Sequence, residues 1–298
     1  MELRALIKRN CKVFFKDKGM FFTSLITPVI LLVLYVTFLG NIYHDAFTSS
    51  MPKGFQIDSA LISAVVGGQL ISSILAVSCV TVAFCSNLMM VQDKITGVKS
   101  DLTMAPIQSG TLALSYFFST AIATLIICLT ALAVCFGYLA VVGWYLSAGD
   151  VLLTLLDVVL LVLFGTSLSS LVNAPLSTAG QSSAVGTIIS AGYGFICGAY
   201  MPISNFGEGL QRVLTFLPGT YGTSLLRNHA LSGAYREMAA QGVPLQVVES
   251  IKDSIDCNLY FFGDKVEIGT MYAILGVSIA ALIGLYILYH ARRSKKKN

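Results

Sequence analysis

The chain has 298 residues, of which 55% are apolar and 11% charged, with a formal net charge of +4 and a mean hydropathy of +0.78. Soluble domains carry about a quarter charged residues, so this composition excludes an ordinary soluble domain and identifies a membrane protein. The useful units are apolar stretches of about 18 residues or more, each able to cross ~30 Å of hydrocarbon, and six are found.

Residues 1–18 are basic and amphipathic. Leu3, Leu6, Ile7, Cys11 and Phe14 recur at helical spacing opposite a stripe of Arg4, Lys8, Lys12 and Lys16, which predicts a helix lying flat at headgroup level. A signal-peptide start is the other pattern with this charge, but the following apolar run is long and lacks a small-residue cleavage site. The first span, 20–40, contains Pro28, whose missing hydrogen bond must be replaced by neighbouring helices or by hydroxyls such as Thr23 and Ser24; a kink is expected there. A polar loop over 41–58 follows. The second span, 59–90, is longer than a bilayer requires, so it tilts or projects. Its Gly67, Gly68, Ser72, Ser73, Ser78 and Thr81 suit close helix contact.

The next stretch, 91–109, is a polar knuckle carrying Asp93, Lys94, Lys99 and Asp101; no charge occurs between Asp58 and Asp93 or between Asp101 and Asp150. It is too short for a domain but long enough for one or two helical turns facing water. The third span runs 110–142 to a tight turn bearing Trp144 and Tyr145, which fit an interfacial aromatic belt. The fourth and fifth spans are 151–172 and 181–200. Asp157 lies two turns, about 10 Å, inside the fourth. It either faces a watery cavity or a cation, or is held structurally by neighbouring hydroxyls.

After the fifth span, Phe206, Leu210, Val213, Leu214 and Leu217 form one apolar helical face that stops at Pro218-Gly219, and a second short helix can start near Tyr221. Neither predicted helix is long enough to span, so 201–230 reads as a re-entrant hairpin. The segment 231–269 is expected outside, with an amphipathic helix after Pro244 through Val247, Val248, Ile251 and Ile255. The sixth span is 270–289.

Charge orients the bundle. Of nineteen Lys and Arg residues, six precede Gly19, two lie in the knuckle and five follow Tyr289, placing both termini in the cytoplasm. The terminal tract from Arg292 to Lys297 directly abuts a span, so it reads as an anchor to anionic lipid and not as a nucleic-acid patch. Among the seven cysteines only Cys257 is expected to face outward, and the spacings fit neither a disulfide framework nor a metal site. Gly97-Val98-Lys99-Ser100 lacks the glycine before lysine that a phosphate loop needs. No H-E-x-x-H or G-x-S-x-G occurs. The chain has no ATPase or other enzymatic motif of its own.

Two sets of residues resemble the type-2 permease family of ATP-binding cassette exporters, in particular its bacterial drug and natural-product branch. The first is Asp93-Lys94-Ile95-Thr96-Gly97-Val98, Asp101-Leu102 and Ala105-Pro106, similar to the family's coupling knuckle, with Val98, Ser100 and Ala105 where Thr, Glu and Thr are usual. The second is Met201-Pro202-Ile203, Leu210-Gln211, Pro218, Tyr221 and Leu226-Arg227, similar to the pattern of the family's re-entrant hairpin. The resemblance covers the chain as a single transmembrane domain, 1–298. It implies an all-α membrane protein of six transmembrane helices with an interfacial helix, a cytoplasmic coupling helix and an extracellular re-entrant hairpin.

It implies further that two permease chains, identical or closely similar, pair in the cell membrane around a path. Each docks Asp93, Lys94, Gly97, Asp101, Leu102 and Pro106 on a separate ATPase subunit that binds ATP and magnesium, leaving this chain without a cofactor. If the first and fifth spans line that path, Phe21, Phe22, Tyr35, Phe38, Tyr193 and Phe195 face it, with Asp157 as a further candidate, and the cargo is amphiphilic or apolar. Pro202, Pro218, Tyr221 and Arg227 would shape the hairpin. The alternatives are a carrier driven by ion gradients, for which the inverted repeats with broken helices are missing, and a regulatory membrane subunit.

Overall fold

The computed structural model describes residues 2–35, 37, 40, 58–105 and 107–295. Eleven α-helices run through them: α1 Glu2–Lys16, α2 Lys18–Leu34, α3 Ser59–Ile95, α4 Val98–Met104, α5 Ser109–Val142, α6 Ala148–Asn173, α7 Ala179–Ile196, α8 Glu208–Leu214, α9 Pro218–Ala240, α10 Leu245–Ser254 and α11 Ile268–Lys295. Two-residue strands, β1 Tyr260–Phe261 and β2 Asp264–Lys265, pair antiparallel before α11. The all-α expectation omitted this hairpin.

The bundle is organised around α3. Its 37 residues span ~55 Å at about 1.5 Å each, well beyond a hydrocarbon core. It is apolar on every side because α2, α5, α6, α7 and α9 pack around it. Asp58 opens it by accepting the Ala60 N–H at 3.1 Å. Where α6 crosses, a Cβ on Gly165 would lie 2.6 Å from the Cys79 carbonyl oxygen, so only glycine permits that approach. Capping boxes open α6 (Ser147 with Asp150) and α7 (Thr178 with Gln181).

Among the described residues four helices, α3, α5, α6 and α11, are long and apolar enough to cross a membrane. The pair α1–α2, bent by 74° at Asp17, gives a fifth if counted as one span. The bend falls at that break, while α2 runs on through Pro28. The hydroxyls of Thr23 and Ser24 donate to the Gly19 and Phe21 carbonyls. α7 has only 18 residues and is diluted by Ser, Thr, Gln and Gly.

Two boundaries and one burial differ from the sequence-based expectation for physical reasons. α3 continues to Ile95, so Asp93 and Lys94 sit in its last turn and not in a loop. The helix after Pro218 is 23 residues long, joining the expected hairpin limb to the start of the expected outer segment. Its cations concealed it as a buried helix, because each finds an acid elsewhere in the chain. Cys257, expected to face outward, is 1% exposed beneath α10 and the Tyr235 hydroxyl; burial pushes its thiol up to about 11.

Candidate functional site

The knuckle is built at the end of α3. Thr96 caps the helix, and Gly97 follows at φ +83°, a left-handed turn that glycine adopts without strain. The turn launches the seven-residue α4. Asp101, Thr103 and Met104 are exposed, Met104 at 85%. Leu102 instead turns inward, half-buried against the cluster of Leu6, Met89 and Leu112.

The two charges at the root of α4 also face inward. Asp93 is buried and accepts a bidentate pair from Arg9 of α1, at 2.5 and 3.1 Å, and a third bond from the Tyr116 hydroxyl of α5 at 2.7 Å. Lys94 Nζ donates to the carbonyls of Asn173, Ala174 and Leu176, at 3.1, 2.7 and 2.8 Å. It thereby caps the α6 C-terminus, where unsatisfied carbonyls and the helix dipole favour a cation. Asp93 and Lys94 thus brace α4 against α1, α5 and α6 and leave Asp101 and the α4 face to the surface. Pro106 lies outside the described residues. Arg9 and Tyr116 were missed by sequence reasoning: Arg9 sits at the edge of a stripe of similar cations, and a tyrosine within an apolar run carries no partner signal.

A groove of about 1110 Å³ runs along the bundle between α2, α3 and α7. At the knuckle end it reaches Gln92, Ile95 and Ala179, and at the distal end Tyr35, Tyr200 and Met201, so it follows nearly the whole apolar length. Among the described residues no charged side chain lines it. Of the residues expected on a path, Tyr35 and Phe195 line the groove, and Phe38 lies outside the described residues. The rest are placed elsewhere. Phe21 packs on the cluster of Phe14, Val82, Ala123 and Ile127. Phe22 is 63% exposed away from the groove lining. Tyr193 is buried against the start of α9, where a Cβ on Gly219 would meet its hydroxyl at 2.6 Å.

Asp157 also lies outside the groove lining. It is 1% exposed and receives the Tyr272 hydroxyl of α11 at 2.6 Å, with His229 Nδ1 of α9 at 2.6 Å from its other oxygen. Seven residues nearer the distal end, Asp150 pairs with Arg236, seven residues further along α9. Pairing across so many residues has no signature in a single sequence. The hairpin motif residues serve as ties. Pro202 precedes the 3₁₀ turn Ile203–Asn205, Pro218 takes the first position of α9, and the Tyr221 hydroxyl donates to the Thr215 carbonyl at 2.6 Å. Arg227 reaches Asp256 and the Gly198 carbonyl.

These features combine a projecting knuckle rooted in several helices, an uncharged groove beside the root and a tied distal hairpin. A family model described as ABC-2 type transporter matches residues 1–230, from α1 into α9. A comparison with curated proteins finds no match. With more than half of its length covered, from the braced knuckle to Arg227, the chain belongs to the ABC-2 type transporter family of multi-pass membrane permeases.

Proposed function

We propose that this permease is the membrane subunit of an ATP-driven exporter of the bacterial drug and natural-product type. In this reading it crosses the cell membrane six times with both termini in the cytoplasm. It pairs with a second permease chain, identical or closely similar, and a separate ATPase subunit binds ATP and magnesium. The cargo is an uncharged amphiphile or apolar molecule moved along the groove.

The observation that carries this reading is the brace beneath α4. A push on the exposed face of Asp101, Thr103 and Met104 meets Gly97, then the rod-like α3. The Asp93–Arg9, Asp93–Tyr116 and Lys94–Asn173 bonds link that movement to α1, α5 and α6. Packed helices shift as rigid elements between discrete arrangements, which is what a coupling element needs. The chain supplies no hydrolytic chemistry; its part is mechanical.

The test is co-purification with a candidate ATPase subunit, followed by cargo-stimulated ATP hydrolysis in proteoliposomes. Met104→Arg, at the most exposed position of α4, is expected to leave the melting temperature unchanged. It should weaken ATPase docking about tenfold or more, as for a contact in an interface hot spot. Unchanged docking and stimulation would remove the role of α4. Uphill transport by the chain alone would overturn the exporter reading.

A further inference from the structure

The groove is two-sided across its width. The α2 side carries Ile26, Ile30, Leu31 and Leu34 between Thr23 and Tyr35 at its two ends, and Ile74 and Leu88 of α3 extend this aliphatic stretch. The α7 wall presents Ser182, Ser183, Gly186, Thr187 and Ser190, at the three- and four-residue steps that place side chains on one helix face. Ser183 is exposed and Ser182 and Ser190 half-exposed, so their hydroxyls are open to a ligand. A stripe of small polar residues could equally be a helix seam.

A second observation points to a ligand. Ser73 of α3 lines the same groove, is 2% exposed, and its hydroxyl has no hydrogen-bond partner among the described residues. Buried polar groups are normally paired, because leaving one dry carries its full desolvation cost.

We infer that the groove is a site for a neutral, facially amphiphilic ligand, with hydroxyl or carbonyl groups along one long edge and hydrocarbon along the other. This inference rests on the exporter reading only in calling that ligand the cargo. A head-and-tail lipid would lay its alkyl chain against the serines as well as the leucines, leaving the α7 wall unmatched. A charged ligand would enter a groove with no counter-charge among the described residues. A pure hydrocarbon would leave the Ser73 hydroxyl dry and the α7 serine hydroxyls without a ligand partner. A rigid molecule with a polar edge satisfies both walls at once, and its rigidity lowers the ordering cost of binding.

The experiment measures equilibrium binding to the full chain in nanodiscs. The probes are radiolabelled methyl cholate, a neutral steroid with its hydroxyls on one face, and monoolein, a neutral head-and-tail amphiphile. Methyl cholate should bind saturably and monoolein should compete poorly. Ser73→Ala, and separately Ser183→Ala with Ser190→Ala, should each weaken methyl cholate about tenfold, as expected for lost hydrogen bonds in a desolvated site. Should Ser73→Ala unfold, the exposed double variant carries the test.

Equal affinity for the two probes, no saturable methyl cholate binding, or unchanged affinity in the double variant would overturn the inference. So would an interchain disulfide formed by Ser183→Cys that methyl cholate does not slow, since the α7 wall would then be a seam between copies. The ATPase rate of the assembled complex is read separately. Binding without any effect on that rate would count against the exporter reading and leave the facial ligand site standing.

Discussion

Arg227 is 1% exposed, and its charge is met by Asp256 at 3.3 Å and by the Gly198 carbonyl at 2.5 Å. Asp256 also accepts the N–H groups of Ile203 and Ser204, at 2.5 and 3.2 Å. Burial pushes the Asp256 carboxyl above its usual range, against the pull of Arg227 and these amides. Removing one member of such a pair leaves the other buried and unpaired. Arg227→Ala is therefore expected to lower stability by about 3–5 kcal/mol and to open 201–217 to protease. ATPase docking at α4 should be retained, because Arg227 ties the distal end. Loss of docking with the hairpin still protected would reverse that assignment. At this scale the sequence was legible in identity and blind in direction. Asp93, Lys94 and Leu102 stand out beside a glycine turn, yet whether they face a partner or the bundle depends on Arg9, Tyr116 and Leu6, which come from other helices.

The long apolar helices were readable because hydropathy alone bounds them: α5 and α6 begin and end within three residues of the expected spans. α9 was not, since Arg227, His229, Arg236 and Glu237 give it the look of a surface segment. α10 was readable in pattern, and its Val248 and Ile251 are buried on the cluster with Leu231, Tyr235 and Met238 as that pattern requires. Its polar side carries a small electrostatic clasp. Lys252, Lys265 and Asn258 donate to the Glu249 carboxylate at 2.9, 3.0 and 2.9 Å. Lys252 first, then Lys265, holds its titration down at about 2 from an ordinary 4.5. The sign follows from linkage: a carboxylate depressed in the folded state adds stability above its unfolded value and loses it as pH falls through the folded one. The link between α10 and the β1–β2 hairpin should weaken between about pH 5 and pH 2. Hydrogen exchange over 245–265 reads this, and Glu249→Gln should flatten the profile. An unchanged pH profile in Glu249→Gln would show that another group sets it.

Over the whole molecule, the groove between α2, α3 and α7 is open along one side, and Ile188 of α7 is 66% exposed. If a second permease chain closes the path, Ile188→Cys should form an interchain disulfide in membranes, while Ser183→Cys on the groove side should not. The reverse pattern would place the path elsewhere. That α2 and α7 flank a shared groove was legible from family resemblance. Which of their residues reach it was not, because Phe21 and Tyr193 are drawn into the core by neighbours distant in sequence.

The matched spacing of Asp150 and Asp157 on α6 with Arg236 and His229 on α9 has a mechanical consequence. Antiparallel rods joined at two points with equal separation behave like a ratchet with both teeth engaged. A lengthwise slip by one turn would break both pairs at once, leaving Asp157 with the Tyr272 hydroxyl and Asp150 with its Ser147 cap. Helix α9 therefore resists piston-like travel along α6, and swinging away from it would break the same two pairs.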